Sequence, residues 1–344
     1  MDRINRYFLS HFFSMFGSLF ATLFFIMSIV FFIQIARVTS VIEITFLELG
    51  KLYLFMLPQI LLFTIPISFF IALGLMLFKL SRENETIVLF TLGYSPKKIA
   101  RFFFVLATLT SLLLLANALV FLPISGQLNK NFIDYKRTNA SLTLKAAEFG
   151  QRFSDWLVFI EGKHEKDGGD EYEHVVMYAT GDATTNERLL LAEQGRITNV
   201  QGELVLSLDA GRGYEFSPAR IHELVFNEMF LQTYGRGDLS EVVSLVEYWA
   251  EAKTNKRRAE RISLDILIAL FPMATVLFAL SFGIVTYRYQ KKGIYGGIFL
   301  VLFVYFALIM LLNKALPLLS IPLIFGLFLL FSWLYFQRKI LRRY

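Results

Sequence analysis

The chain has 344 residues, a formal net charge of +6 and a hydrophobic fraction of 56%, with 37 phenylalanines and a mean hydropathy of +0.55. Soluble domains rarely have such a composition, so it excludes an ordinary soluble protein. The chain contains no cysteine, which excludes disulfides and thiolate metal sites. Its four histidines show no metal-ligand spacing, and we interpret them as solvated surface residues: His11, His164, His174 and His222.

Six apolar runs approach or exceed the roughly 20 residues that a helix needs to cross a bilayer. They lie at 12–35, 52–78, 102–122, 264–286, 296–313 and 316–336. The first run is too long for the hydrophobic part of a signal peptide and lacks a small-residue cleavage site, so we interpret it as a span. The sequence predicts three spans, a long polar insertion and three further spans.

Basic residues indicate the orientation of these spans. Fourteen lysines and arginines lie at one set of span ends, and only Arg37, Lys51 and Lys314 lie in the opposite short loops. Because cytoplasmic loops are enriched in Lys and Arg, both termini are predicted to be cytoplasmic and 123–262 to lie on the far side. The 123–262 segment has 17 basic and 22 acidic residues, a net charge of −5. The pI of about 9.3 therefore reflects topology and does not indicate nucleic-acid binding.

The segment between the second and third spans reads SRENETIVLFTLGYSPKK, from Ser81 to Lys98. It combines an apolar stretch, 87–90, with the carboxylates of Glu83 and Glu85. Gly93 is suited to end a helix, and Ser95 followed by proline is suited to begin the next. This pattern predicts a short amphipathic helix at the membrane surface.

The inserted segment begins with helical character at 127–137 and continues with short alternating stretches. The candidate strands are 156–161, 175–179, 189–192, 204–209 and 223–226, separated by clusters rich in Gly, Asp and Asn. They predict an all-β roll or sandwich. An amphipathic helix over 239–261, with Asp238 or Ser240 as its N-cap, is predicted to return the chain to the membrane.

Several kinds of chemistry are absent from the sequence. The chain has neither a G-x-x-x-x-G-K-[ST] phosphate loop nor a G-x-S-x-G nucleophile turn, so it is predicted not to be an enzyme. Asp265 is the one ionisable residue in the six runs, and we interpret it as an interfacial residue near the start of its helix. The lack of an intramembrane charge relay argues against an ion-driven carrier. Asn117 and Asn313 are predicted to form hydrogen bonds between helices.

The three-plus-three layout, the inserted domain and the segment from Glu85 to Ser95 together resemble the LptF/LptG (YjgP/YjgQ) permeases. In that family the segment reads approximately S-E-[LI]-x-x-[LM]-x-[AS]-x-G-[FILM]-[ST]. Glu85, Gly93 and Ser95 match in register. Asn84 stands where Ser is common, and Phe90 and Thr91 stand where a basic or small residue is often seen.

The resemblance implies a polytopic α-helical membrane protein of the Gram-negative inner membrane, with an inserted jellyroll-like periplasmic β domain. Its expected parts are 1–122, with spans one to three, 123–262, with the β domain, and 263–344, with spans four to six and a basic tail. The implied function is a permease subunit of an ABC transporter that extracts lipopolysaccharide and passes it toward the outer membrane. The implied partners are an LptB-like ATPase homodimer that binds ATP and Mg, a second permease of the same family, and an LptC/LptA-like periplasmic bridge protein.

The resemblance also implies that 81–95 is a coupling helix whose Glu85 reaches a basic groove on the ATPase. The expected coupling residues are Glu83, Glu85, Leu89, Gly93 and Ser95. The alternative interpretation is that the two glutamates only solvate a cytoplasmic turn.

A lipid with anionic headgroup phosphates needs cations at the outer membrane face. Arg37, Lys51 and Lys314 are the candidates, and ordinary snorkelling at helix ends is the alternative. Two other functions fit the sequence. One is an ABC-type subunit for lipoprotein release or mechanotransduction, and the other is a non-transport membrane protein with a periplasmic binding domain.

Overall fold

A computed structural model describes residues 3–39, 44–141, 151–153, 156–166, 169–180, 186–200, 203–217, 220–233, 244–250, 255–285 and 293–342. The chain divides into two compact units. One consists of Met1–Ala36, Leu47–Gln127 and Val243–Tyr344, and the other consists of Arg37–Phe46 and Leu128–Val242. The helices are α1 (Arg3–Thr39), α2 (Phe46–Arg82), α3 (Glu85–Thr91), α4 (Pro96–Ala116), α5 (Leu122–Ser141), α6 (Leu245–Ala250), α7 (Lys256–Gly283), α8 (Gly293–Ala315) and α9 (Pro317–Phe336).

Six of the described helical stretches are long and apolar enough to cross a membrane, and each overlaps one of the six predicted runs. The predicted polytopic helical fold with an inserted β domain is therefore confirmed. In the third span, α4 runs through a π-helical turn, Asn117–Phe121, into α5. The helix predicted at 127–137 is thus a continuation of this span.

The second and fourth spans, α2 and α7, are the most buried. Their most apolar stretches are 67% and 72% buried, whereas those of the other four spans are between 17% and 28% buried. Helix α7 packs against α4, α8 and α9. The core of the helical unit is therefore arranged around α7.

Pro272 lies inside α7, and neighbouring helices form hydrogen bonds with backbone groups near it. Pro272 has no N–H to donate to the preceding turn. The Oγ of Ser111 on α4 accepts a hydrogen bond from the N–H of Met273 at 3.2 Å, and the hydroxyl of Tyr305 on α8 donates to the carbonyl of Leu267 at 2.6 Å. These bonds matter because lipid offers no partner to an exposed backbone group.

The two asparagines predicted to link helices do so. The amide of Asn117 donates to the carbonyl of Pro58 at 2.8 Å, and that of Asn313 donates to the carbonyl of Glu260 at 2.6 Å. Both predictions are confirmed. Each bond joins two spans at a carbonyl, as expected where polar groups lie inside a membrane.

Asp265 does not lie where the sequence analysis placed it. Helix α7 begins at Lys256, where Asn255 caps it by accepting from the N–H of Arg257 at 3.1 Å. Asp265 is therefore beyond the first turn, and it is buried, with 9% of its surface exposed. The helix begins before the apolar run, with polar first turns. The interpretation of Asp265 as a residue near the helix start is therefore wrong.

The second unit contains one antiparallel sheet. Its strands are β1 (Gln151–Phe153), β2 (Trp156–Lys166), β3 (Gly169–Ala179), β4 (Glu187–Val200), β5 (Glu203–Ser217) and β6 (Arg220–Thr233), and they pair in sequential order. The five candidate strands all fall within β2–β6. One face carries an apolar cluster that includes Val158, Met177 and Leu208. The described strands form a meander without a crossover, so the jellyroll topology stays a prediction.

Other predictions have mixed outcomes. His164, His174 and His222 are exposed, as predicted, but His11 is half-buried, with its ring 4.4 Å from that of Tyr7. The proposed N-caps at 238 and 240 lie outside the described residues. In the described part of 239–261, α6 precedes the start of α7.

Gly283, at the end of α7, lies in close contact with α2. A Cβ atom there would lie 2.5 Å from the Cβ of Leu77 and 2.8 Å from the carbonyl oxygen of Gly74. A methyl group cannot occupy this space unless the backbones separate.

We expect Gly283→Ala to destabilise the protein by about 1–3 kcal/mol, since overpacked cores lose that much. The measurement is thermal unfolding of the full chain in detergent. Gly326→Ala on α9 is the control, because no atom lies within 4 Å of its added Cβ. Equal melting temperatures for the two variants would show that the α2–α7 contact yields without cost.

Candidate functional site

Helix α3 is a separate short helix between α2 and α4. It is flanked by two residues with left-handed backbone conformations. Asn84, with φ of 63°, precedes it, and Gly93, with φ of 82°, follows it. Gly93 and Tyr94 donate backbone hydrogen bonds to the last carbonyls of α3, at Phe90 and Leu89. Ser95 then caps α4 by accepting from the N–H of Lys97 at 3.3 Å. Gly93 and Ser95 therefore end one helix and begin the next, as the sequence predicted.

The two faces of α3 differ in character. Leu89 and Phe90 pack against the core of the helical unit, and Thr86 is buried. Val88 and Leu92 point outward, with 53% and 77% of their surfaces exposed. Leu89 was predicted to be a contact residue, whereas this outward pair was not. Their spacing of four residues places the two side chains on one helix face, and this spacing could have predicted the pair from the sequence.

A buried serine at the end of α2 joins three helices. The hydroxyl of Ser81 donates to the carbonyl of Gly283 at 2.9 Å and accepts from the hydroxyl of Thr86 at 3.1 Å. It also accepts from the N–H of Val285 at 3.3 Å. All the hydrogen-bonding capacity of this hydroxyl is used, so Ser81 connects α2, α3 and the end of α7.

The start of α1 also binds the α3 region. The hydroxyl of Tyr7 donates to Oε2 of Glu85 at 2.5 Å, and the hydroxyl of Tyr94 donates to Oδ1 of Asn5 at 3.0 Å. Glu85 is half-buried, and Glu83 is exposed. Glu85 therefore has a partner within this chain, and Glu83 is the more accessible carboxylate.

These contacts bring the basic ends of the helices together. Contacts at Ser81, Glu85 and Phe282 place the start of α1, the end of α2 and the end of α7 at one end of the helical unit. Exposed cations near α3 add positive charge at this end: Lys79, Arg82, Lys97 and Lys98. We call this region the basic end. An exposed apolar pair next to two carboxylates and several cations is suited to bind another protein.

The three candidate headgroup residues lie near the opposite helix ends. Arg37 is in the last turn of α1, Lys51 is near the start of α2, and Lys314 is in the last turn of α8. All three are exposed. Among the described residues, no cluster of three or more metal-ligating side chains occurs.

The β unit presents a second candidate surface along β6. Among the described strands, β6 pairs only with β5, in a register that includes Phe226 opposite Gly211. The strand exposes large apolar side chains: Ile221, Leu224, Val225 and Phe230. A long apolar edge strand can accept a further strand from another domain.

Comparisons with known proteins agree with this architecture. The family model described as lipopolysaccharide export system permease LptF/LptG matches residues 6–338, nearly the whole chain. A comparison with curated proteins gives no match. The chain belongs to the LptF/LptG family of lipopolysaccharide export permeases.

Proposed function

We propose that this permease is the membrane subunit of an ABC-type exporter that extracts lipopolysaccharide from the inner membrane and passes it to a periplasmic bridge. The surface of α3 is the observation that carries the partnership with an ATPase. Val88 and Leu92 are exposed there beside Glu83 and Glu85, and the chain itself has no phosphate loop. ATP and Mg would therefore be bound by a separate ATPase dimer.

The connections of α3 support a role in transmitting motion. Ser81 joins α3 to α2 and α7, while Tyr7 joins Glu85 to α1. A partner that displaces α3 therefore acts on three spans through hydrogen bonds. The bonds at Ser81 are buried and fully satisfied, which makes this connection rigid, whereas the bond from Tyr7 to Glu85 is exposed.

The same proposal assigns the remaining parts. The basic end faces the cytoplasm, and the β unit lies in the periplasm, consistent with the distribution of Lys and Arg. The β6 edge would add to a strand of the bridge protein. A second permease of the same family would complete the cavity, and Arg37, Lys51 and Lys314 would bind headgroup phosphates of the lipid.

Family membership favours this function over the two alternatives from the sequence. A subunit for lipoprotein release and a non-transport binding protein both fit the layout of the chain. Neither accounts for a match to the lipopolysaccharide permeases over residues 6–338.

Val88→Asp should abolish capture of the ATPase by the tagged permease, because a charge replaces an apolar contact at the centre of the proposed interface. The assay is pull-down in mild detergent with the ATPase, the second permease and the periplasmic bridge protein co-expressed. Val225→Asp on β6 is the reciprocal control, which should retain the ATPase and lose the bridge protein. If Val88→Asp retains the ATPase, α3 is not the docking helix.

Glu85→Ala and Tyr7→Phe separate two roles of the carboxylate. If Glu85 contacts the ATPase directly, Glu85→Ala reduces capture by about tenfold, the cost of a lost charged hydrogen bond. Tyr7→Phe keeps the carboxylate and should leave capture within about twofold, since a change under 0.5 kcal/mol is typical of an exposed site. Equal losses in both variants would instead show that Glu85 acts through its bond to α1.

Ser81→Ala should retain the ATPase but weaken the stimulation of ATP hydrolysis by lipopolysaccharide. The substitution leaves the Gly283 carbonyl without its donor, and a buried unsatisfied group costs about 1–3 kcal/mol. Ser332→Ala is the matched control, because that serine is equally buried but, among the described residues, bonds within α9, to the carbonyl of Leu329. Stimulated hydrolysis equal to the control would exclude Ser81 from the coupling route.

A further inference from the structure

An apolar cavity of about 520 Å³ lies between α7, α8 and α9. Its walls are almost entirely carbon, with aromatic rings on α7 and α9 and aliphatic side chains along α8. Representative lining residues are Phe278, Gly296, Val304, Leu327, Phe331 and Tyr335. Ligand sites in proteins commonly have this volume and an apolar lining.

Two glycines at the start of α8 create this space. Gly296 lines the cavity, and nothing lies within 4 Å of a Cβ atom added there. Gly297, by contrast, packs against Phe282, because an added Cβ would lie 2.9 Å from that ring. One glycine thus brings α8 against α7, and its neighbour leaves the groove open.

A cation stands at the basic end of the cavity. Lys339, in the π-helical turn Gln337–Leu341 that follows α9, has its Nζ 5.3 Å from the ring centre of Tyr335 and 5.5 Å from that of Phe282. The same Nζ donates to the Tyr335 hydroxyl at 3.4 Å. Both rings line the cavity. A positive charge therefore lies beside two rings of the cavity wall, at the basic end.

We propose that this cavity binds one acyl chain of an anionic phospholipid whose phosphate pairs with Lys339. The positive charge of Lys339 favours an anionic headgroup, and the almost wholly apolar lining favours a hydrocarbon chain. This lipid is distinct from the transported one, because Lys339 lies beside the cavity at the basic end, whereas the candidate cargo residues Arg37, Lys51 and Lys314 lie near the opposite helix ends. The bound lipid would stabilise the packing of α8 and α9 against α7.

Native mass spectrometry of the full chain can test this site. The probes are phosphatidylglycerol and phosphatidylcholine with identical acyl chains, titrated into protein released from detergent. Wild type should retain phosphatidylglycerol. Gly296→Leu, which fills the cavity, should lower its affinity by at least about tenfold, and Gly326→Leu, an exposed glycine on α9 away from the cavity, should not.

Lys339→Gln tests the headgroup contact separately. It should reduce the preference for phosphatidylglycerol over phosphatidylcholine by about fivefold, the worth of one lysine near an anionic headgroup. Binding of phosphatidylcholine should not change. An unchanged preference would overturn the pairing of Lys339 with phosphate.

Other results would overturn the proposal as a whole. Equal retention of phosphatidylglycerol by Gly296→Leu and Gly326→Leu would exclude the cavity as its site. If Gly296→Leu removes dimers and not lipid, a helix of a second copy is the occupant. If lipopolysaccharide displaces phosphatidylglycerol from wild type, the cavity belongs to the cargo route. Val304→Phe, a second cavity-filling variant, replaces Gly296→Leu should the latter not fold, with thermal unfolding as the check. None of these outcomes depends on whether an ATPase binds α3.

Discussion

The close approach of α2 and α7 at Gly283 is the constraint on which the helical unit depends. Lipid tails are as apolar as the side chains they surround, so spans associate through close packing and hydrogen bonds rather than through the hydrophobic effect. Gly283 supplies both, because its missing side chain admits Leu77 and Gly74 and its carbonyl accepts from Ser81. The two most buried spans are therefore joined at a point where neither can shift alone.

Polar groups along α7 explain how the other spans gather around this helix. Near Pro272, the N–H of Met273 and the carbonyl of Leu267 bond to Ser111 of α4 and Tyr305 of α8. A third bond to α7, the second from α8, joins Asn313 to the carbonyl of Glu260. The same end of α7 that contacts α2 also carries α3 through Ser81 and Thr86. In the proposed mechanism, the contacts that stabilise the bundle are thus the ones that transmit the motion of the ATPase.

The spans and strands could be predicted because hydropathy over 20 residues and alternation over five are local properties. The end of α3 at Gly93 and the cap at Ser95 were equally local. The bond from Ser81 to Gly283 joins residues 202 positions apart, and no local pattern marks it. The burial of Asp265 was missed because the polar first turns of α7 hid the true start of the helix. The outward face of α3 was missed because only the packed bundle decides that Leu89 turns inward and Val88 outward.

The lipid cavity and the α2–α7 contact meet at two adjacent residues. Phe282 lines the cavity and touches Gly297 of α8, and Gly283 presses against Leu77 of α2. A chain held in the cavity bears on the Phe282 ring, so it resists rotation of the last turn of α7. In the proposed mechanism, a displaced α3 also acts on that turn, through the bonds of Ser81 to Gly283 and Thr86. The proposed phospholipid and the proposed ATPase therefore both act on the last turn of α7. If the lipid binds one position of this turn more tightly than the other, it would set how readily the permease responds to the ATPase.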